Sequence, residues 1–149
     1  MKSIYEPSTL QELLDRIDKL HPDTQRLWGK MDVAQMMAHC SSAIEIAIGD
    51  RVGKSTLMGT LVGRFAKSII TNEKPFKKNL PTAPDFVVVD SKDFNKEKVR
   101  LTVMLKRLSS GGADAMHNRK HHFFGRLTSH EWSNSMYKHM DHHLRQFGV

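Results

Sequence analysis

The chain has a single cysteine, Cys40, among its 149 residues. That excludes an internal disulfide framework and a cysteine-rich zinc site, and makes a reducing compartment, the cytoplasm, the expected address. Long apolar runs are missing as well. The first nine residues hold no stretch that would serve as a signal peptide, and no uncharged apolar segment is long enough to span a bilayer. A soluble protein with no membrane partner is expected. Aromatic residues are few, with two tryptophans and two tyrosines, and no basic stretch interleaves with them as a base-stacking platform requires. The net charge of +7 permits attraction to phosphates, but the basic residues are scattered, often beside acids as at Lys96, Glu97 and Lys98. Nucleic acid is therefore not the expected partner. A phosphate-binding loop is lacking too: in Gly49 to Thr56 the two glycines stand one residue too close, and a helical pattern precedes them instead of a strand.

What the chain has in quantity is histidine, nine in all. Its length and 39% hydrophobic content suit one domain over residues 1–149, since two halves would each bury too little surface. Leu10, Leu13, Leu14, Ile17 and Leu20 recur at helical spacing, and Thr9 with Glu12 reads as a capping box, so a helix is expected over 9–20. Asp32 caps a second helix, 33–48, which Gly49 ends. Leu57, Leu61, Phe65 and Ile69 predict a third over 55–71. The stretch 73–91 has three prolines and no helical period, and it reads as a lid or binding loop whose Phe86-Val87-Val88-Val89 run packs down or forms a short strand. A helix over 93–109 follows, closed by Gly111-Gly112, and after an irregular segment Thr128 and Glu131 cap the last helix, which runs to Gln146.

On that last helix Trp132, Met136, His139, Met140, His143 and Phe147 fall within roughly 100° of arc, while His142 sits at the edge and Lys138, Asp141 and Arg145 lie outside. Two imidazoles four residues apart on one face can reach the same ion, a spacing that recurs in zinc sites. A pair of core histidines bonded to backbone, water or a carboxylate is the other reading of the same pattern. His39, on the shoulder of the second helix's apolar face, is the best candidate for a third ligand, against an ordinary partly buried side chain. His121 and His122 read as members of a solvated basic loop that could border a pocket. Cys40 is turned about 100° from His39 and reads as a core residue.

The run from Leu27 to His39 resembles the entry to the second helix in the DinB/YfiT-like superfamily of metal-dependent proteins. The final His139-Met140-Asp141-His142-His143-Leu144-Arg145-Gln146 resembles that superfamily's closing motif. Asn79-Leu80-Pro81-Thr82-Ala83-Pro84 and Phe123-Phe124-Gly125 are similar to a subfamily of unknown function. Leu144 departs from the pattern, because many relatives begin an Arg-Gly-Gln run there.

The resemblance implies an all-α fold, a DinB-like four-helix bundle with one additional connecting helix and long loops. It also implies one divalent metal ion, zinc or nickel, held by His39, His139 and His143. Catalytic residues are not assigned by it. A metal-dependent transferase or hydrolase acting on a small-molecule substrate, in some relatives with a thiol, is the implied activity. A non-catalytic, metal-stabilised binding or stress-response module is the alternative, and a homodimer is compatible with either.

Overall fold

The computed structural model describes residues 2–53, 63, 66–117 and 119–149. The fold is mostly helical: α1 (Pro7–Asp18), α2 (Val33–Ile48), α3 (Phe94–Met116) and α4 (Ser129–Gln146), with a 3₁₀ turn at Pro84–Phe86. A small hairpin precedes α4, in which β1 (Lys120–His121) pairs antiparallel with β2 (Gly125–Arg126). Residues 66–71 are helical as well. The rest of the helix expected over 55–71, except Gly63, lies outside the described residues.

The α1 start corrects the expected cap. Pro7 begins the helix, because its missing N–H and fixed φ suit the first helical position, and Glu6 occupies the cap without a side-chain bond. Thr9 is consequently inside the helix and buried. The caps of α2 and α4 do form. Asp32 accepts from the Gln35 amide at 2.8 Å while Gln35 accepts from the Asp32 amide at 3.0 Å. Thr128 and Glu131 make the same reciprocal pair. In α3 the helix runs past Gly111-Gly112 to Met116, with a break at Gly112, where φ is 71°. Of the two outcomes expected for the Phe86 to Val89 run, packing down or a short strand, Phe86 takes the first: Pro84 to Phe86 form a 3₁₀ turn and the Phe86 carbonyl packs against His39.

One apolar cluster draws on all four helices, from Ile4 and Leu13 through Met36, Ile44 and Leu105 to Trp132 and Phe147. Removing each such side chain from water contributes roughly 1.5–3 kcal/mol. Polar contacts set the last helix in place. Arg16 of α1 donates to Asp141 at 3.0 Å and to the Val149 carbonyl at 2.9 Å. Lys138, which lies outside the apolar stripe, is nonetheless buried and donates to the carbonyls of Ile69 and Asn72 at 2.6 and 2.9 Å. The end of the 66–71 helix thus covers a side of α4 that periodicity left open. Among the described residues no helix is long and apolar enough to cross a membrane.

The reciprocal cap fixes where α2, and His39 with it, begins. Replacing Asp32 with Ala should cost about 1 kcal/mol, read as a fall of roughly 2–4 °C in Tm; no change would show that the cap contributes nothing.

Candidate metal centre

His39 comes from the second turn of α2, and His139 and His143 from successive turns of α4. The structure brings the three together: one nitrogen of each lies within 4.8 Å of the others. The ring centroids are 4.9 Å apart for His39 and His139, 4.6 Å for His39 and His143, and 4.7 Å for His139 and His143. His39 and His143 are buried. His139 keeps some exposure and lines the cavity beside the cluster.

Where each imidazole places its one N–H decides what the cluster can do. His39 Nδ1 lies 2.8 Å from the Phe86 carbonyl, an oxygen that can only accept. The proton is therefore on Nδ1, and Nε2 presents a lone pair. His143 is fixed by a longer chain of the same logic. The Gln146 amide donates from Nε2 to the Trp28 carbonyl at 2.7 Å, which turns its Oε1 toward His143 Nδ1 at 2.8 Å. That oxygen accepts, so His143 also keeps its Nε2 lone pair free. Gly29 makes the arrangement possible: it has φ 81°, and a Cβ there would stand 2.4 Å from Gln146 Nε2.

His39 Nε2 and His139 Nε2 are 2.8 Å apart. With Nδ1 of His39 already protonated, the gap is bridged by a proton on His139 or by a shared cation. Burial holds all three imidazoles below the ordinary value, His139 well below it and His143 down to about 3; His143 and His39 lower His139 further, and His39 lowers His143. Three neutral, inward-facing nitrogens with two outer N–H groups held by oxygen acceptors have the chemistry of a divalent-metal donor set.

Two cavities flank the cluster. One, of about 230 Å³, is lined largely by apolar and aromatic side chains, among them Ile46, Phe76, Phe86, Phe124 and Trp132. The other, about 650 Å³, is walled in part by Trp28, Lys30, Asn79 and Val88. Leu80, Pro81 and Thr82 stand in both walls, as do His142 and His143. The 73–91 segment is thus the wall between the cavities, and its 3₁₀ turn delivers the Phe86 carbonyl to His39.

Of the two readings open for His121, a solvated loop or the border of a pocket, the second holds: it is buried and lines the smaller cavity. Period analysis had no purchase on a two-residue strand. His122 is half-buried, and among the described residues neither of its ring nitrogens has a hydrogen-bond partner.

A family profile matches residues 5–148, and its description is a protein of unknown function, DUF1569. The chain belongs to the DUF1569 family. Neither curated proteins nor solved structures give a match. Within this family member, Leu80, Pro81 and Thr82 of the Asn79–Pro84 run acquire a physical role as the shared wall of both cavities.

The buried imidazoles make stability depend on pH. For His143 the folded value, about 3, lies below the ordinary 6.5, so the unfolded chain binds the proton first as pH falls. Stability is fully present above about pH 6.5 and is lost progressively toward pH 3, by at most about 1.4 kcal/mol per pH unit for each such proton. In chelator-treated protein, Tm should fall between pH 7 and pH 4, and a His143→Gln variant should show a shallower fall. Equal slopes would mean that His143 takes up its proton alike in both states.

Proposed function

We propose that this DUF1569 protein is a metal-dependent enzyme with a DinB/YfiT-like four-helix bundle, to which the helical residues 66–71 are added. One core cluster running from Ile4 to Phe147 supports treating residues 1–149 as a single domain. His39, His139 and His143 would hold one divalent ion, zinc or nickel, through the nitrogens left free by Phe86 and Gln146. When bound, such an ion supplies Lewis acidity at positions the protein leaves open.

The observation that carries the enzymatic reading is the cavity of about 230 Å³ with His39, His139 and His143 in its wall. A metal that only stabilised the fold would need no adjoining space, and a fourth side chain would close its coordination. The set found among the described residues has three members. The chain's own contributions are then distinct: α2 and α4 position the imidazoles, Phe86 and Gln146 orient two of them, and the aromatic wall excludes water from a small-molecule substrate. Transfer or hydrolysis fits this arrangement, in the cytoplasm, where the buried Cys40 thiol stays reduced.

Purified without chelator, the protein should carry about one divalent ion per chain by elemental analysis, and His139→Ala should carry none. Absence of metal from both would refute the proposal. Gln146→Leu removes the acceptor that holds His143 in its ligating form and should weaken metal binding roughly 10- to 100-fold. Unchanged affinity would show that Gln146 only packs.

A further inference from the structure

His121 lines the smaller cavity together with His142 and the three histidines of the cluster, and its own surroundings determine its form. It ends β1, opposite Gly125. The loop between them, His122 to Phe124, turns tightly because Gly125 adopts φ 76°. That turn aims two backbone amides back at the ring: Phe123 N–H donates to His121 Nδ1 at 3.1 Å, and Phe124 N–H points to the same atom at 3.4 Å. An Nδ1 that accepts cannot carry a proton, so in the neutral ring the proton is on Nε2. The ring is also held in place on several sides. Phe124 stacks on it at 4.3 Å, His122 at 4.5 Å, and Trp132 lies at 5.3 Å, itself pinned by donation from its indole N–H to the Arg119 carbonyl at 3.2 Å. Burial pushes its pKa down to about 3, which keeps the ring uncharged at neutral pH.

The residues around it define what would accept that proton donation. Among the described lining residues none is Lys, Arg, Asp or Glu, so a charged end placed beside His121 would lose its hydration with no counter-charge to replace it. An uncharged acceptor loses far less, and the hydrogen bond from His121 offsets it. Trp132 precedes His139 by seven residues on α4, about two turns, or roughly 10 Å along the axis. A molecule occupying the cavity can therefore meet the histidine cluster with one part and His121 with another.

We propose that His121 is a fixed, neutral N–H donor of the cavity, and that the cavity takes a flat apolar molecule whose carbonyl oxygen (ketone, aldehyde, ester or amide) accepts from His121 Nε2. This rests on the reading of the cavity as the substrate's place, and it adds the substrate's chemical class: an uncharged carbonyl compound with an aromatic or similarly flat body. His121 specifies by hydrogen bonding, whereas the cluster of His39, His139 and His143 is the reactive centre.

The test uses acetophenone and α-methylstyrene, two molecules of nearly one shape that differ in C=O against C=CH₂. Each is titrated into the 149-residue chain and followed by NMR, with and without added zinc, so that an effect of metal on the oxygen is read separately. The expected result is binding of both, with the ratio of the two Kd values shifting against acetophenone by about three- to tenfold in His121→Phe, the worth of one neutral hydrogen bond. The shift should be the same without zinc. A second measurement needs no variant: ¹⁵N spectra of the wild-type histidines should show His121 as the Nε2–H form, with that nitrogen's resonance moving on addition of acetophenone and not of α-methylstyrene. A His121 proton found on Nδ1, or a Kd ratio unchanged by His121→Phe, would overturn the donor assignment while leaving the metal reading intact. Failure of both probes to bind would instead remove the cavity as a substrate site, and this inference with it.

Discussion

The disposal of imidazole N–H groups is the constraint on which the centre of this molecule depends. A buried histidine has one proton to place and one lone pair to spend, and in a core built from Leu, Met and Ile both choices are made by the few oxygens within reach. Phe86 supplies one such oxygen and Gln146 the other. Each accepts the Nδ1 N–H of its histidine, and together they turn two nitrogens inward as lone pairs. Two inward lone pairs facing a third imidazole at close range are unfavourable on their own, and a proton or a cation relieves them. The pairing of His39 with His139 at 2.8 Å expresses that demand.

The same constraint accounts for structure some distance away. Gln146 can orient His143 only because its amide nitrogen is committed to the Trp28 carbonyl, and it reaches that carbonyl past Gly29, where a side chain would collide with it. The Leu27 amide in turn donates to the Gln146 carbonyl at 2.7 Å. The segment before α2 is therefore strapped to the last turn of α4 by both backbone and side chain. Asp141, on the far side of α4, is held by Arg16 and Arg145 at 3.0 Å each. With Lys138 capping the 66–71 helix, α4 is held on several sides, and the rotation that aims its histidines is set from several directions.

How much of this was legible in the sequence follows from the range of each interaction. The inward pairing of His139 with His143 is a matter of 100° steps along one helix, and the caps at Asp32 and Thr128 are three-residue motifs; all of these were readable. His39 was a candidate by its place on an apolar face, and its ring meets His139 only through packing of α2 against α4, a contact 100 residues apart in sequence. Lys138 and Asp141 lie outside the apolar stripe as read, but their burial was not legible, because helical periodicity finds the strongest apolar face and has nothing to say about polar partners arriving from elsewhere. Thr9 was misread because Pro7, two residues earlier, starts the helix first. His121 was hidden for a different reason: its burial depends on a hairpin of two-residue strands, too short to leave a pattern.

The 73–91 segment joins these parts. Its three prolines keep it from forming an α-helix, and Asn79, at φ 58°, takes a left-handed conformation that Asn tolerates better than most residues. Leu80, Pro81 and Thr82 wall both cavities, and four residues later the Phe86 carbonyl accepts from His39. One stretch of backbone thus separates the apolar cavity from the more polar one and also sets the tautomer of a candidate ligand. A displacement of this wall that merged the cavities would carry the Phe86 carbonyl with it, and His39 would then be free to move its proton to Nε2 and lose the lone pair that faces His139. Access to the cluster and its capacity to hold a cation are therefore tied to the same few residues, so that the site is complete only with the wall in place.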